Sequence, residues 1–386
     1  MRRSRNVRRA SPTHRHPTRA SAYQRLLEDL GARLAAARAD HPEAYEAELA
    51  EAIATREWPD PMPLEGIEAL RAWAAIHPTL TFSMGFAPSG GEPWRELTES
   101  GLLTRVRALG FTKSPTPATA LEHLAATPEL RHVAQLTLTH LSMDEAGFAA
   151  LAESPHLEGL VALQLVSVVT PVVGLKRLFS ARGGQLTWLK VEHSGLDASV
   201  LEGFAAPSLV SLQLPRNPLG DDGARALTLA TLSALTDLDL SSTQLGDAGL
   251  LALADSTVLD RVVELGLRRN TFGPAGVEAL CASPHTRAVR RFHAGHTPLR
   301  DAGVAAIVLS GWKLTHLDLH QCGLFGAASK LAQADFLPQL ERLDVGGNTS
   351  FFQDTAGLRA LLASSLPTVM KDDLRYEFES ENGYSL

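Results

Sequence analysis

Residues 235–253 read LTDLDLSSTQLGDAGLLAL. Leu238 and Leu240 alternate with Asp237 and Asp239, a two-residue period that puts the leucines on one face of a strand and the aspartates on the other. A short polar turn follows, and from Asp247 the apolar residues fall at helical spacing. The stretch 262–280, VVELGLRRNTFGPAGVEAL, repeats the places of Leu235, Leu238, Leu240, Leu245, Leu250 and Leu253 in phase. With Leu238 as position zero, the same place is held by Leu109, Leu136, Leu163, Leu189, Leu212, Leu265, Phe292, Leu317 and Leu343, at gaps of 23 to 27 residues. Position +2 is almost always apolar, as in Leu138, Leu165, Val191, Leu214, Leu267, Leu319 and Val345. Position +15 returns as Leu124, Leu151, Leu178, Phe204, Leu227, Leu253, Leu280, Ile307 and Leu358. A period of this length marks stacked units, none of which can bury its apolar face alone.

Two further positions carry physical meaning. At +5 stand Asn217, Thr243, Asn270, Thr297, Cys322 and Asn348. Small hydrogen-bonding side chains there are expected to satisfy turn backbone that no strand reaches. At +11 stand Gly147, Gly174, Gly223, Gly249, Gly276 and Gly303, expected to let each helix approach the sheet closely. Asp221, Asp247 and Asp301 precede three of these glycines, where a carboxylate favours a helix N-terminus.

The two quoted stretches resemble leucine-rich repeats of the ribonuclease-inhibitor-like type, and the likeness covers roughly residues 100–365. The resemblance implies an α/β solenoid, a horseshoe with parallel strands on the concave face and helices on the convex face. It also implies a scaffold that binds another protein rather than an enzyme. A degenerate first unit is read at Phe82, with Met84 at +2 and Leu97 at +15. The domain reading is a basic arm without stable structure at 1–21, a helical N-terminal cap at 22–78, the repeats at 79–365 and a C-terminal cap at 366–386. One cap helix is read over Leu64 to Ile76, with Trp58 and Trp73 filling the space between helices. Phe351, Phe352, Leu358 and Leu361 read as the last repeat helix, with Tyr376 and Phe378 covering the end of the core.

The chain of 386 residues is 45% hydrophobic and 20% charged, the profile of a packed, water-soluble protein. No apolar run is long enough to span a bilayer. Residues 1–21 hold seven arginines and no acid, so the remainder carries a charge of −14 against −7 for the whole. The arm is the one hint of nucleic-acid binding, and the acidic body argues against it. Two cysteines, Cys281 and Cys322, give no disulfide framework and fit a reducing, cytoplasmic setting. Motifs for phosphate-binding loops, zinc proteases and serine hydrolases are absent from the sequence, and no cofactor is expected.

Positions −1, +1, +3 and +4 point away from the core on the strand side. In the first units they are small or neutral: Gly110, Gln135, Thr137, Gln164 and Val166. Further on they become charged and aromatic. The candidate partner-binding set is Trp188, Lys190, Glu192, Arg216, Asp239, Arg268, Arg269, Arg291, His293, Asp318, His320 and Arg342. Trp and Arg dominate binding hot spots. The alternative is a metal-binding sensor or metal-dependent enzyme, built on His316, Asp318 and His320 with His293 on the preceding strand.

Overall fold

The computed structural model describes residues 62–65, 82–86, 99–112, 118–169 and 172–382. The chain divides into units 1–60 and 61–386, and all described residues belong to the second. The expectations for the arm, the first cap helices and both Trp58 and Trp73 lie outside the described residues.

One sheet carries twelve strands, all parallel and in chain order. They are β1 (Met62–Glu65), β2 (Phe82–Phe86), β3 (Val106–Thr112), β4 (Gln135–Thr139), β5 (Ala162–Val166) and β6 (Trp188–Glu192). The rest are β7 (Ser211–Gln213), β8 (Asp237–Asp239), β9 (Glu264–Gly266), β10 (Arg291–His293), β11 (His316–Asp318) and β12 (Arg342–Asp344). The position-zero residues are direct register partners along the array, as in Leu212 with Leu238, Leu238 with Leu265 and Leu265 with Phe292.

From β3 onward the described crossovers are helical. They comprise α1 (Ala118–Ala125), α2 (Glu145–Glu153), α3 (Val172–Arg182), α4 (Gly220–Thr228), α5 (Asp247–Ala254), α6 (Pro274–Ala282), α7 (Arg300–Leu309) and α8 (Ala327–Leu331). Between β6 and β7, the shortest repeat, a 3-10 turn at Ala198–Leu201 replaces the α-helix. A unit of 23 residues has no room for a full helix. Leu238, Leu240, Leu265 and Leu267 are at most 2% exposed, and the +15 residues Leu227, Leu253, Leu280 and Ile307 close the core from the helical side. Among the described residues no helix is long and apolar enough to cross a membrane.

Three expectations at the ends are corrected. Leu64 and Glu65 lie in β1, paired with Met84 and Gly85, and do not start a helix. Pro63 is compatible with this, because an edge strand tolerates its missing N–H. Met84, not Phe82, aligns with Leu109, across an irregularity after Phe82. A slip of two residues keeps every side chain on its face, so alternation alone could not fix the register. At the other end, α9 (Thr349–Gln353) and α10 (Thr355–Ala363) stand where one last helix was expected, and α11 (Thr368–Asn382) lies in the C-terminal cap. Phe378, Leu374 and Met370 are buried on α11, whereas Tyr376 is 75% exposed.

The +5 side chains form the expected buried ladder. Asn270 Oδ1 accepts from the backbone N–H of Thr243 (2.9 Å) and Leu245 (3.1 Å), and its Nδ2 donates to the carbonyls of Leu240 (2.8 Å) and Leu267 (3.0 Å). Asn217 and Asn348 make the same four-way link. Thr243 and Thr297 cap their own strands, donating to Leu240 and Ala294 carbonyls. Just before each ladder residue the backbone turns left-handed, at His140, Ser167, His193, Arg216, Ser242, Arg269, His296, Gln321 and Gly347. That conformation costs on the order of 1 kcal/mol for a residue with a Cβ. From His140 to Gln321 it is held because each of these N–H groups still donates to the next unit, as Arg269 does to Gly295 (2.9 Å).

The +11 glycines serve a different contact from the one expected. A Cβ on Gly276 would lie 2.7 Å from Asp247 Oδ1 and 3.0 Å from Leu250 Cδ1, both on the preceding helix. One on Gly174 would meet Phe148 at 2.9 Å. At these positions the close approach is helix to helix, whereas a Cβ on Gly223 or Gly303 would meet Leu219 or Leu299 of the same unit. The aspartates likewise cap the following unit: Asp247 accepts from Gly273 (2.8 Å) and Gly276 (2.9 Å), and Asp301 from Phe325 and Gly326 (both 2.9 Å). Each carboxylate thus ties neighbouring helix starts together.

Two substitutions test this account by urea unfolding of the full chain. Leu267→Ala should cost about 2–5 kcal/mol through the cavity it leaves. Asn270→Ala should cost at least about 2 kcal/mol, because it orphans buried groups on two units. Near-neutral results in both would overturn the register.

Candidate protein-binding face

The strand face opposite the helices changes character along the array. On β3 to β5 it offers Ala108, Gly110, Gln135, Thr137, Ala162 and Gln164. Trp188 on β6 follows, and its register neighbours are Ala162 and Ser211. Two small neighbours leave the half-buried indole standing proud of the sheet.

From β6 to β12 the face is laced by ion pairs. Glu192 takes Lys190 (2.8 Å) and Arg216 (3.3 Å), and Glu264 takes Arg291 (2.5 Å) and His293 (3.3 Å). Arg268 bonds Asp318, and His320 faces Asp344 at 3.2 Å. Arg269 Nη2 lies 3.5 Å from His296 Nε2, and the His296 and His320 rings stack with centroids 5.1 Å apart. Burial and the Arg269 guanidinium both hold the His296 imidazole below its ordinary pKa. The candidate set is therefore brought onto one continuous face, with Arg216, Arg268, Arg269 and Arg342 its exposed cations.

Two members behave otherwise than expected. Asp318 is not an exposed recognition residue: it is 4% exposed, accepts from the His320 N–H (3.0 Å) and carries Arg268 as its counter-ion. Gly295 makes room for it, since a Cβ there would stand 2.8 Å from Asp318 Oδ2. Arg268 reaches across that gap from β9 to β11, so it cannot be removed without stranding a buried carboxylate.

The metal candidates do not converge either. His293 turns to Glu264, His316 lies 3.0 Å from Thr315 Oγ1, and His320 turns to Asp344. A guanidinium occupies the side of Asp318 that a cation would need. Among the described residues no group of three His, Cys, Asp or Glu side chains could hold a metal ion.

A depression of about 370 Å³ opens over this face, and its lining includes Asp237, Asp239, Glu264, Gly266, Arg268, His293 and Arg342. Gly266 forms its floor and escaped the sequence reading because it has no side chain. The available signal was a gap in the +1 row, where the flanking units carry Asp239 and His293. Asp237 and Glu264 were read on the face but not among the candidates. Burial, then repulsion from Glu264, pushes the Asp237 carboxyl up to about 6.

This geometry, a strand, a left-handed turn with an asparagine ladder and a helix per unit, defines a leucine-rich-repeat protein. The leucine-rich-repeat family model matches at residues 205–227 and 232–254, the units that start from β7 and β8. None of the curated protein sequences compared matches the chain. Similar solved structures include an internalin from Listeria monocytogenes, at 15% identity and TM-score 0.45 over 69% of this chain and 74% of that one. The Rad7 and Elc1 complex of yeast is similar at 13% identity and TM-score 0.46, over 87% of this chain and 89% of that one.

The raised Asp237 pKa has a defined consequence for stability. The folded state holds this proton up to about pH 6 and the unfolded chain releases it near 3.8, so the wild type loses stability as pH rises between the two. Asp237→Asn removes that loss. Its melting temperature should exceed the wild type's at pH 7.5, with the gap closing toward pH 4. A lower melting temperature for the variant at pH 7.5 would show that the charged carboxylate is stabilised there.

Proposed function

We propose that the strand face of β6 to β12 is a non-catalytic binding surface for a protein partner. The observation that carries this is Trp188, flanked by small residues at the edge of a densely charged field on rigid strands. An amphipathic aromatic anchor beside arginines is the composition of interface hot spots. Short hydrogen-bonded strands leave these side chains little backbone entropy to lose on binding. Seven strands about 4.8 Å apart span on the order of 30 Å, the scale of a standard interface.

The free thiols support a scaffold rather than a nucleophilic enzyme. Burial pushes Cys281 up to about 12 and also raises Cys322, whose Sγ donates to the Ala294 carbonyl at 3.2 Å. Neither is a ready thiolate. Unpaired cysteines also fit a reducing, cytoplasmic setting. An α-helix in each full-length unit, with gaps near 26 residues, favours the ribonuclease-inhibitor-like subtype.

The helical side is the competing surface, because Leu229 and Leu309 are more than 80% exposed there. Photo-crosslinking side chains placed at Gln213 and Arg342, and separately at Leu229 and Leu309, decide between the two. The strand-face pair should capture a protein partner and the helical pair should not. With that partner in hand, Trp188→Ala and Arg342→Ala should each weaken binding by about 1 kcal/mol or more. Crosslinks from the helical pair alone would end this reading.

A further inference from the structure

Resting on that reading, we propose that the depression over Gly266 seats one basic side chain of the partner, a lysine ammonium or an arginine guanidinium, held by Asp237, Asp239 and Glu264. Two independent features meet here. The first is a hollow floored by strand backbone and a carboxylate. A Cβ on Gly266 would stand 2.7 Å from Asp239 Oδ1 and 3.1 Å from its Cγ, so the Asp239 carboxylate itself lies in the place a side chain at this position would take. Glycine is not required there by the backbone, because left-handed φ is confined to other positions. The missing side chain opens a hollow of about 370 Å³, at the small end of ligand pockets and suited to one long side chain.

The second feature is uncompensated charge. Among the described residues neither Asp237 nor Asp239 has a cation within ion-pair distance, and the favourable charge of Arg291 on Asp237 is outweighed by burial and Glu264, whereas Glu192, Glu264, Asp318 and Asp344 are each paired. Asp239 Oδ1 accepts the Ser241 N–H at 2.9 Å, leaving Oδ2 available. The opposite margin does not reverse the sign. Arg268 is neutralised by buried Asp318, which leaves Arg342 as the unpaired cation. His293, whose Nδ1 is buried without a hydrogen-bond partner, lines the same hollow. An incoming cation would offset the repulsion from Glu264 that now disfavours ionisation of Asp237.

The occupant follows from the shape as well as the charge. A bare divalent ion would need convergent ligands, which are not found here among the described residues. A long aliphatic stem can instead lie over the Gly266 backbone while its head reaches the carboxylates. Arg342, across the hollow, would disfavour a second positive charge on the partner beside the first. The expected epitope is thus an isolated basic residue and not a basic run.

Random peptides displayed on phage and selected on immobilised full-length protein provide the test. Selected peptides are then titrated by calorimetry against the wild type, Asp239→Asn, Gly266→Val, Trp188→Ala and Leu229→Glu. Asp239→Asn is isosteric and keeps the Ser241 bond, so it stays informative if Gly266→Val disturbs folding. The proposal expects one lysine or arginine at a fixed place in the peptides. Its replacement by norleucine, Asp239→Asn and Gly266→Val should each weaken binding by about tenfold or more, and Leu229→Glu should not. Peptides that need Trp188 but tolerate Asp239→Asn and Gly266→Val would overturn the cation seat and leave the strand-face reading standing. Peptides sensitive only to Leu229→Glu would overturn both.

Discussion

The four hydrogen bonds of a buried asparagine side chain are the constraint on which this architecture rests. A parallel sheet satisfies backbone groups only while strands run alongside one another, and here most run for three to five residues before the chain turns away. The turn would bury unpaired donors and carbonyls, each costing about 1–3 kcal/mol. Asn217, Asn270 and Asn348 fill that deficit, accepting two N–H groups from the previous unit while donating to carbonyls on both. The left-handed residue before each ladder position follows from the same need, since it swings the +5 side chain inward. The spacing of the strands, and hence the flat field of side chains they present, is a product of this ladder. On the helical side the aspartate caps play the corresponding part, coupling each helix start to the next.

Most of the fold was legible because two periods coincide. Alternation marks the strand, the 23-to-27-residue repeat marks the unit, and a leucine at position zero cannot move without breaking both. Legibility fails where one period is missing. At Phe82 and Met84 only alternation remains, and alternation is blind to a slip of two. At Leu64 an apolar residue followed by helix-favouring sequence reads as helical, and only Pro63 hints otherwise. The roles of Gly276 and Asp247 were misread for a related reason. A sequence shows that a small residue and a carboxylate recur, but it does not show whether their partner is the sheet or the neighbouring helix.

The candidate site divides along the same line. Which residues face outward follows from parity, so Trp188, Arg291 and Arg342 were assigned correctly to one surface. Which of them are available does not follow, because availability depends on contacts two strands apart. Arg268 and Asp318 are 50 residues apart in sequence and meet only because Gly295 lies between them. Their pairing turns a supposed recognition arginine into a structural one, and a supposed metal ligand into a buried counter-ion.

Glycines at outward positions therefore deserve the same reading as side chains. Gly295 and Gly266 are one strand apart, and each marks a place where a neighbouring carboxylate occupies or overlooks the space a Cβ would take. At Gly295 the space is filled from within the protein, because Asp318 and Arg268 close over it. At Gly266 the Asp239 carboxylate takes that space, but among the described residues no guanidinium pairs with it, and Asp237 beside it resists ionisation. A sheet selected for stability alone would put an asparagine or a threonine at Asp237, which would relieve the repulsion at no cost to the core. An arrangement that disfavours its own charged state is retained most simply when a charge from outside completes it.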